Sequence, residues 1–458
     1  LLAALLSASA LSAPAVAQEA GHWRLKDVAG APDWLTLSGS FRARYESLDG
    51  QFRPSLNGSD QLISLRTTLF AEARFDRFRI GGEVFDARAY AADSGSSLGT
   101  GEVNALELSQ AYVGYRFSDV FANGADANLQ VGRFTMDLGS RRLVGRNNFR
   151  NSTNAFTGAR LDWVGPDEKT QLTVFYTLPH RRLPSDRNSI LDNEIGWDDE
   201  SEDFKFWGAF LALQDLPLGA RGEIFMFGLN EDDSADRQTR NRRLLTPGFR
   251  YYRAPEAGRV DFEIETGLQR GETRASSSPA DLVDLDVEAS YLHFELGYLW
   301  GAPWAPRLAF EYDFASGDAS PTDGEHGRFD SLFGPRRTDF GPTGIYGPLG
   351  RENISAPGLR LEVRPNARWD GFIAYSALYL DEPRDAFSRT GIRDPIGASG
   401  DFAGHQLHAR ARYWIVPRAL RLDFGGATLL KDEVLERAPN ANGEGDTIYG
   451  YADITWTF

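Results

Sequence analysis

The sequence predicts an all-β chain, a single antiparallel transmembrane β-barrel of about 18 strands with short periplasmic turns and long extracellular loops. Three observations predict it. Apolar and polar residues alternate with period 2 almost everywhere after residue 34. The connections between these segments are long and short by turns, and the chain ends on an alternating strand whose last residue is Phe458.

In chain order, Leu1 to Ala13 is apolar or small throughout, and Ala15-Val16-Ala17 precedes Gln18-Glu19. That pattern reads as the apolar region and cleavage site of a secretory signal, and it is too short for a membrane-spanning helix. Residues 1–17 are therefore set aside as a signal remnant, 18–33 as a periplasmic N-terminal segment, and 34–458 as the barrel. The clearest strand follows at once. Leu35, Leu37, Gly39, Phe41, Ala43 and Tyr45 fall on one face, with Thr36, Ser38, Ser40, Arg42, Arg44 and Glu46 on the other.

Strands are expected near 35–48, 61–75, 78–90, 104–117, 127–136, 156–165, 169–178, 204–214, 220–230, 245–253, 260–271, 284–300, 306–316, 355–364, 370–381, 404–416, 419–430 and 447–458. Tight turns fall at Asp76-Arg77, Gly165 to Glu168, Asp215 to Gly219, Ala254 to Arg259, Gly301 to Ala305 and Pro417-Arg418. Long loops lie near 49–60, 91–103, 137–155, 179–203, 231–244, 272–283, 317–354, 382–403 and 431–446. A soluble sandwich has no reason to sort its loops by parity, whereas bacterial outer-membrane barrels do. In the last strand Ile448, Gly450, Ala452, Ile454, Trp456 and Phe458 alternate with polar residues and tyrosines. Such a terminal strand resembles the signal read by the outer-membrane assembly machinery.

Composition narrows the function classes. With no cysteine, neither a disulfide scaffold nor a thiolate metal site is available. A net charge of −16 argues against nucleic acid as a partner. Lysine occurs only at Lys26, Lys169, Lys205 and Lys431, so nearly all of the 49 basic residues are arginine. Arginine keeps its charge in any environment and grips carboxylates with a planar fork. A GC-rich genome gives the same excess through its codons, so position must decide what the arginines do.

Strand parity supplies the positions. Arg42, Arg44 and Glu46 point into the barrel from the first strand, and Ser64, Arg66, Glu72 and Arg74 from the second. The sixth strand contributes Arg160 and Asp162, the fourteenth Arg360, Glu362 and Arg364, and the sixteenth Gln406, His408, Arg410 and Arg412. The eleventh presents Asp261, Glu263 and Glu265. An arginine facing lipid at mid-membrane costs ~2–4 kcal/mol, so an inward direction is what folding demands. Arginine rings favour anions, and mixed ladders on facing walls set up a transverse field. The densest stretch is Arg133, then Asp137 to Asn151 with Arg141, Arg142, Arg146 and Arg150. This loop is expected to fold back into the lumen and line the constriction. The alternative is an exposed loop held by its own Arg–Asp pairs. The acidic runs Asp198 to Asp203 and Glu231-Asp232-Asp233 are expected to be solvated, or to bridge divalent ions to lipopolysaccharide.

The run from Gln130 through Asn154-Ala155-Phe156, with its Gly-Ser-Arg-Arg-Leu-Val-Gly-Arg centre, resembles the signature segment of the alginate export family. Gln110 to Tyr115, Glu311 to Asp318 and Tyr346-Gly347 are similar to further segments of that family. The resemblance implies an eighteen-stranded barrel whose arginine-rich lumen conducts polyuronate. It also implies that Arg133, Arg141, Arg142, Arg146, Arg150, Arg160 and Asp162 line the selective path. The sequence departs from the alginate exporter at one place. That protein has a long periplasmic turn near its C-terminus that helps plug the pore, and here the connection is only Val416-Pro417-Arg418-Ala419. Such a plug has no chain to form it, which leaves room for uptake on the same scaffold. Loop 317–354, with Arg328, Arg336, Arg337 and Arg351, can serve as an outer lid instead.

The expected function is therefore a passive channel for anionic saccharides, alginate-like polyuronates or related organic anions, in the outer membrane of a Gram-negative cell. The alternative is a weakly selective diffusion porin. Its expected partners are anionic oligo- or polysaccharide, outer-membrane lipid and lipopolysaccharide, and the assembly machinery, with no cofactor, metal or catalytic residue. His22, His180, His293, His326, His405 and His408 give no Ser–His arrangement for hydrolysis. His405 and His408, three apart on a strand, fall on opposite faces and make a poor metal pair.

Overall fold

Alternation of this kind leaves each strand one face for lipid and one for the interior, and closing the sheet removes its edges. The computed structural model describes residues 24–234 and 237–458. The signal expected over 1–17, and the first residues of the segment 18–33, lie outside the described residues. A short helix, α1 (Leu25–Val28), precedes the wall.

The wall strands are β1 (Leu35–Asp49), β2 (Ser59–Phe75), β3 (Phe78–Tyr90), β4 (Asn104–Ser118), β5 (Asp126–Phe134) and β6 (Phe156–Val164). They continue as β7 (Thr170–Pro179), β8 (Phe204–Leu216), β9 (Ala220–Glu231), β10 (Arg243–Arg253), β11 (Arg259–Thr273), β12 (Leu285–Leu299) and β13 (Arg307–Ala315). The two-residue β14 (Glu325–His326) lies in the longest loop and pairs parallel with β12. The wall resumes with β15 (Ile354–Asn366), β16 (Trp369–Tyr379), β17 (Phe402–Val416), β18 (Leu420–Lys431) and β19 (Thr447–Thr457). Setting β14 aside, the strands form the closed 18-strand antiparallel barrel that the alternation predicts. Closure runs through β1 and β19, in register from Ser40↔Thr457 to Asp49↔Ile448. No described helix is long and apolar enough to cross a membrane; the crossing is made by strands.

The chain end completes the seam. The Phe458 amide donates to the Gly39 carbonyl at 3.0 Å, and the Gly39 amide donates to the Phe458 carbonyl at 2.8 Å. A Cβ on Gly39 would lie 2.5 Å from the Phe458 ring, so glycine makes room for the terminal aromatic. Outward residues include Phe41, Tyr45, Ile63, Leu69, Val113, Leu308, Leu407 and Phe424, all exposed as a lipid belt requires. Near the short-turn rim, Trp34 stacks on Phe75 at 5.3 Å, Phe78 meets Tyr115 at 4.7 Å, and Trp369 meets Tyr413 at 4.7 Å. These form the interfacial girdle of amphipathic rings.

The interior departs from a purely polar lumen. Phe175, Phe206, Phe225 and Phe227 are buried on the inner face of β7 to β9. Their rings lie 5.1 Å (Phe175–Phe206), 5.9 Å (Phe206–Phe227) and 5.1 Å (Phe225–Phe227) apart. This aromatic wall seats Phe333 of the loop 316–353, 4.8 Å from Phe206 and 5.1 Å from Phe156. The signal was in the sequence: Phe204 to Leu213 and Glu223 to Leu229 are apolar on both faces rather than one. Strands apolar on both faces are covered on both. Phe206→Ala is expected to remove about 3–5 kcal/mol, the usual loss for a buried aromatic. The check is the temperature at which the barrel loses its heat-modifiable gel mobility, which should fall well below that of the parent.

Candidate functional site

Two long loops enter the barrel and meet inside it. The first, residues 135–155, carries the arginine-dense segment. Its carbonyls face β1 and β2: Arg42 Nη1 donates to Asn148 O at 2.7 Å, Arg66 Nη1 to the same oxygen at 3.1 Å, and Arg44 Nη1 to Phe149 O at 2.8 Å. Arg42 and Arg66 are direct cross-strand neighbours. Like charges so placed repel, and a shared carbonyl dipole is what lets them stay together. Arg42 also donates to Asn151 Oδ1 at 2.9 Å, and Arg66 to Arg150 O at 3.3 Å. The loop therefore folds inward, as expected, rather than standing exposed on its own ion pairs.

The second loop, 316–353, expected as an outer lid, descends to the inner wall. The Ile345 amide donates to Glu46 at 3.3 Å, the Tyr346 hydroxyl to Gln406 at 2.8 Å, and the Tyr346 ring stacks on Tyr449 at 5.1 Å. Gly344, at φ +71°, lies so near the Glu46 carboxylate that no side chain fits there. Arg142 joins the two loops to the wall. Its guanidinium pairs with Glu263, with Glu265 at 2.7 Å and with Asp339 at 3.1 Å, while Arg351 takes Asp339 from the other side. Asp339 lies in α2 (Arg337–Phe340). His293 Nδ1 and Asp313 are 2.9 Å apart beside it. Two guanidiniums on Asp339 already balance the charge that a metal cation would neutralise.

The remaining expected path residues fall into three groups. Several are neutralised where they stand: Arg146 by Glu83 at 2.6 Å, Arg160 by Asp162 at 2.8 Å, Arg360 by Glu362 at 2.7 Å, and Arg412 by Asp370 at 2.7 Å. Arg44 pairs with Asp453 at 3.0 Å, and Arg410 lies 3.6 Å from Asp370. Arg360 and Arg410 also sit over the Phe372 ring, at 3.8 and 4.9 Å. Others lie away from the inserted loops. Arg74 pairs with Glu72 near the periplasmic rim and is largely exposed, and Arg364 is exposed at the same end of β15. Arg133 is a correction. Its cross-strand partner Ala111 and its neighbour Val131 are exposed outward, so Arg133 shares the outer face and pairs with Glu107 and Glu200 under the loop 180–203.

A third group has no carboxylate within ion-pair distance among the described residues: Arg42, Arg66, Arg141 and Arg150, joined by Arg336 of the second loop. Arg150 donates to Asn154 at 3.0 Å, and Arg336 to the carbonyls of Gly347 and Leu349 at 3.1 Å each. Arg42, Arg66 and Arg150 each retain a buried Nε without an acceptor among the described residues. Burial, and then repulsion from Arg389, hold the Arg336 guanidinium down to about 9. Burial and repulsion from Arg182 lower Arg150 likewise. Glu102 lies among them, its carboxyl pushed up to about 7 by burial. Across the lumen the balance reverses. Asp261, Glu223, Glu263, Glu265, Glu311 and Asp313 crowd the inner face of β9 to β13 against Arg250 and Arg307. The mixed ladders expected from parity thus resolve into an arginine side at β1–β2 and an acidic side at β9–β13.

The acidic runs have a structural role. Asp198 is buried and accepts from Asn104 at 2.7 Å and from the Leu183 amide at 2.9 Å, while Asp233 pairs with Arg274 and Glu231 with Arg242. They hold the outer loops rather than simply facing solvent.

The profile of the family described as Alginate export matches residues 33–445, nearly the whole chain. Among solved outer-membrane porins the barrel is similar to Pseudomonas aeruginosa OpdQ, at 12% identity over 93% of this chain and 97% of that one, with TM-score 0.55. Acinetobacter baumannii OccAB1 is similar at 12% identity, 93% and 97% coverage and TM-score 0.57. Pseudomonas aeruginosa OccK2 (OpdF), in complex with glucuronate, is similar at 12% identity, 92% and 96% coverage and TM-score 0.52. At these identities the likeness is one of fold. No curated protein matches the sequence.

Proposed function

The chain belongs to the alginate export family, and from that premise we propose a passive channel for anionic saccharides, alginate-like polyuronates or related organic anions. The barrel resides in the outer membrane of a Gram-negative cell. One observation carries the proposal. The inserted loops hold Arg42, Arg66, Arg150 and Arg336 with carbonyl and amide oxygens instead of carboxylates. Neutral acceptors fix the geometry of a guanidinium without cancelling its charge, so the half-buried Arg66, Arg150 and Arg336 remain able to take a passing carboxylate through charge-assisted hydrogen bonds, with the buried Arg42 adding its charge behind them. The glucuronate bound to the structurally similar OccK2 supports a uronate as the first probe. Lipid and lipopolysaccharide are the proposed contacts of the apolar belt, and the assembly machinery the reader of the strand ending at Phe458.

The competing reading is a weakly selective diffusion porin. It is favoured by the pairs Arg142–Glu265, Arg146–Glu83 and Arg160–Asp162, in which expected path arginines are neutralised in place. The reversal potential of the purified protein in a planar bilayer under a salt gradient separates the two. Anion preference, with block by oligouronate and none by a neutral oligosaccharide, is the expected result. Cation or null selectivity without block would select the diffusion porin.

A further inference from the structure

At the extracellular end, between the wall and the inserted loop 316–353, lies a cavity of about 270 Å³. That is close to the lower end of the roughly 300–1,000 Å³ range of small-molecule sites, and suits a monosaccharide better than a run of polymer. We propose that this cavity is a recognition site for one carboxylate-bearing sugar ring, a single hexuronate unit, ahead of the constriction. The proposal rests on the anionic-saccharide reading above and adds to it a discrete site at the outer mouth.

The lining has the chemistry such a ring requires. Arg240, Arg242, Arg328 and Arg389 bring four guanidiniums to it, with the carboxylates Asp330 and Glu352 in the lining and Glu231 and Asp385 behind it. Arg242 is fully engaged, with Glu231 at 2.7 Å and Asp330 at 2.8 Å. Arg328 is held by Asp385 at 2.7 Å and Glu352 at 3.2 Å, and Arg389 shares Glu352. Arg240 differs. It donates to the Arg274 carbonyl at 2.9 Å and faces the His326 ring nitrogen at 3.2 Å, with no carboxylate in ion-pair distance among the described residues. Burial, then Arg240 itself, lower the His326 imidazole to about 4, so at neutral pH Arg240 faces a neutral acceptor. This leaves one guanidinium in direct contact with no carboxylate among the described residues, at the wall of a cavity able to hold an anion against it. Ser331 offers a hydroxyl to a ring hydroxyl, while Gln269 and Thr273, whose side chains bond within the protein, and Phe329, packed on Tyr291 at 4.9 Å, shape the wall.

Arg389 connects this site to the interior. A Cβ on Gly350 would lie 2.9 Å from Arg389 Cγ and 3.0 Å from Arg336 Cδ, so the two arginines flank one glycine. Arg336 in turn is near enough to Arg150 to repel it. An anion leaving the cavity thus meets Arg389, Arg336 and Arg150 in succession.

The test is calorimetric titration of the full-length protein in lipid nanodiscs with sodium glucuronate, glucose and inorganic phosphate. One glucuronate per chain, no glucose, and phosphate unable to displace glucuronate at equal concentration are expected. The His326 imidazole resonance, assigned by loss in His326→Gln, should move when glucuronate is added. Arg240→Gln should weaken binding about tenfold, the effect of one charge-assisted hydrogen bond, and Val287→Phe, which fills the cavity from β12, should abolish it. Glucuronate binding unaltered in both variants would overturn the site, as would a wild-type chain that binds none. Phosphate competing as well as glucuronate would overturn the sugar reading. Absent anion preference in the wild type, with the site intact, would instead count against the channel reading and leave the cavity standing.

Discussion

Arg142→Ala is expected to turn a narrow channel into a wider and noisier one, and to lower the thermal stability of the barrel interior. Arg142 is the common partner of Glu263 and Glu265 on β11 and of Asp339 on the second loop, and its own carbonyl accepts from Arg351 at 3.4 Å. Removing one member of a buried ion pair costs about 3–5 kcal/mol, because the charges left behind have neither partner nor water. Here the carboxylates are not left wholly bare. Glu263 keeps Arg250 at 2.7 Å, Glu265 keeps the Tyr291 hydroxyl at 2.8 Å, and Asp339 keeps Arg351. The loss therefore falls on the junction more than on the wall, and both loops should detach from β11. Single-channel recordings should show raised conductance with frequent switching. Arg142→Lys should lie between, since one ammonium cannot present a planar fork to several carboxylates. Traces of Arg142→Ala indistinguishable from the parent would mean that the junction does not hold the constriction.

Neutralising the arginines without carboxylate partners should change selectivity with little change in conductance. The informative variant is Arg66→Gln with Arg150→Gln. Glutamine keeps an amide donor for the carbonyl acceptors that Arg66 uses, Asn148 O and Arg150 O, and for Asn154 beside Arg150. What is lost is two charges with no carboxylate in ion-pair distance among the described residues. A hydrogen bond to a charged group is worth about 1.5–3 kcal/mol, so block by oligouronate should weaken about tenfold or more. Anion preference in the reversal potential should fall with it. The control is Arg160→Gln with Asp162→Asn, which removes a matched pair 2.8 Å apart and leaves the net charge unchanged. Equal behaviour of the two double variants would remove the distinction between paired and unpaired arginines on which the proposed path rests.

Strand parity and loop order were legible in the sequence because they are local. An inward Arg42, Arg44 and Glu46 follow from a period of two and from the cost of a charge in lipid, and the side chains lie where that rule puts them. The alternation of long and short connections identified the rims, and Phe458 found its place on Gly39. The run from Gln130 to Phe156 carried the family resemblance before any geometry was known.

Which arginines keep a usable charge was decided by the tertiary structure alone. Arg42 meets Asn148 across 106 residues, and Arg142 meets Asp339 across 197. No periodic rule reaches over such separations, since loop conformation is set by where its carbonyls and rings find partners. The family resemblance put Arg133 on the path, whereas its alternation with Val131 in β5 sets it on the outer face, beneath a folded loop. By itself, then, the sequence determined the barrel, its orientation and the side of the wall on which most charges stand. The tertiary structure decided how two loops cross the lumen, and so which charges are cancelled by an acid and which are held by neutral oxygens. The reason is physical: an ion pair needs contact within a few ångströms, and in a barrel that contact is made by segments far apart in the chain.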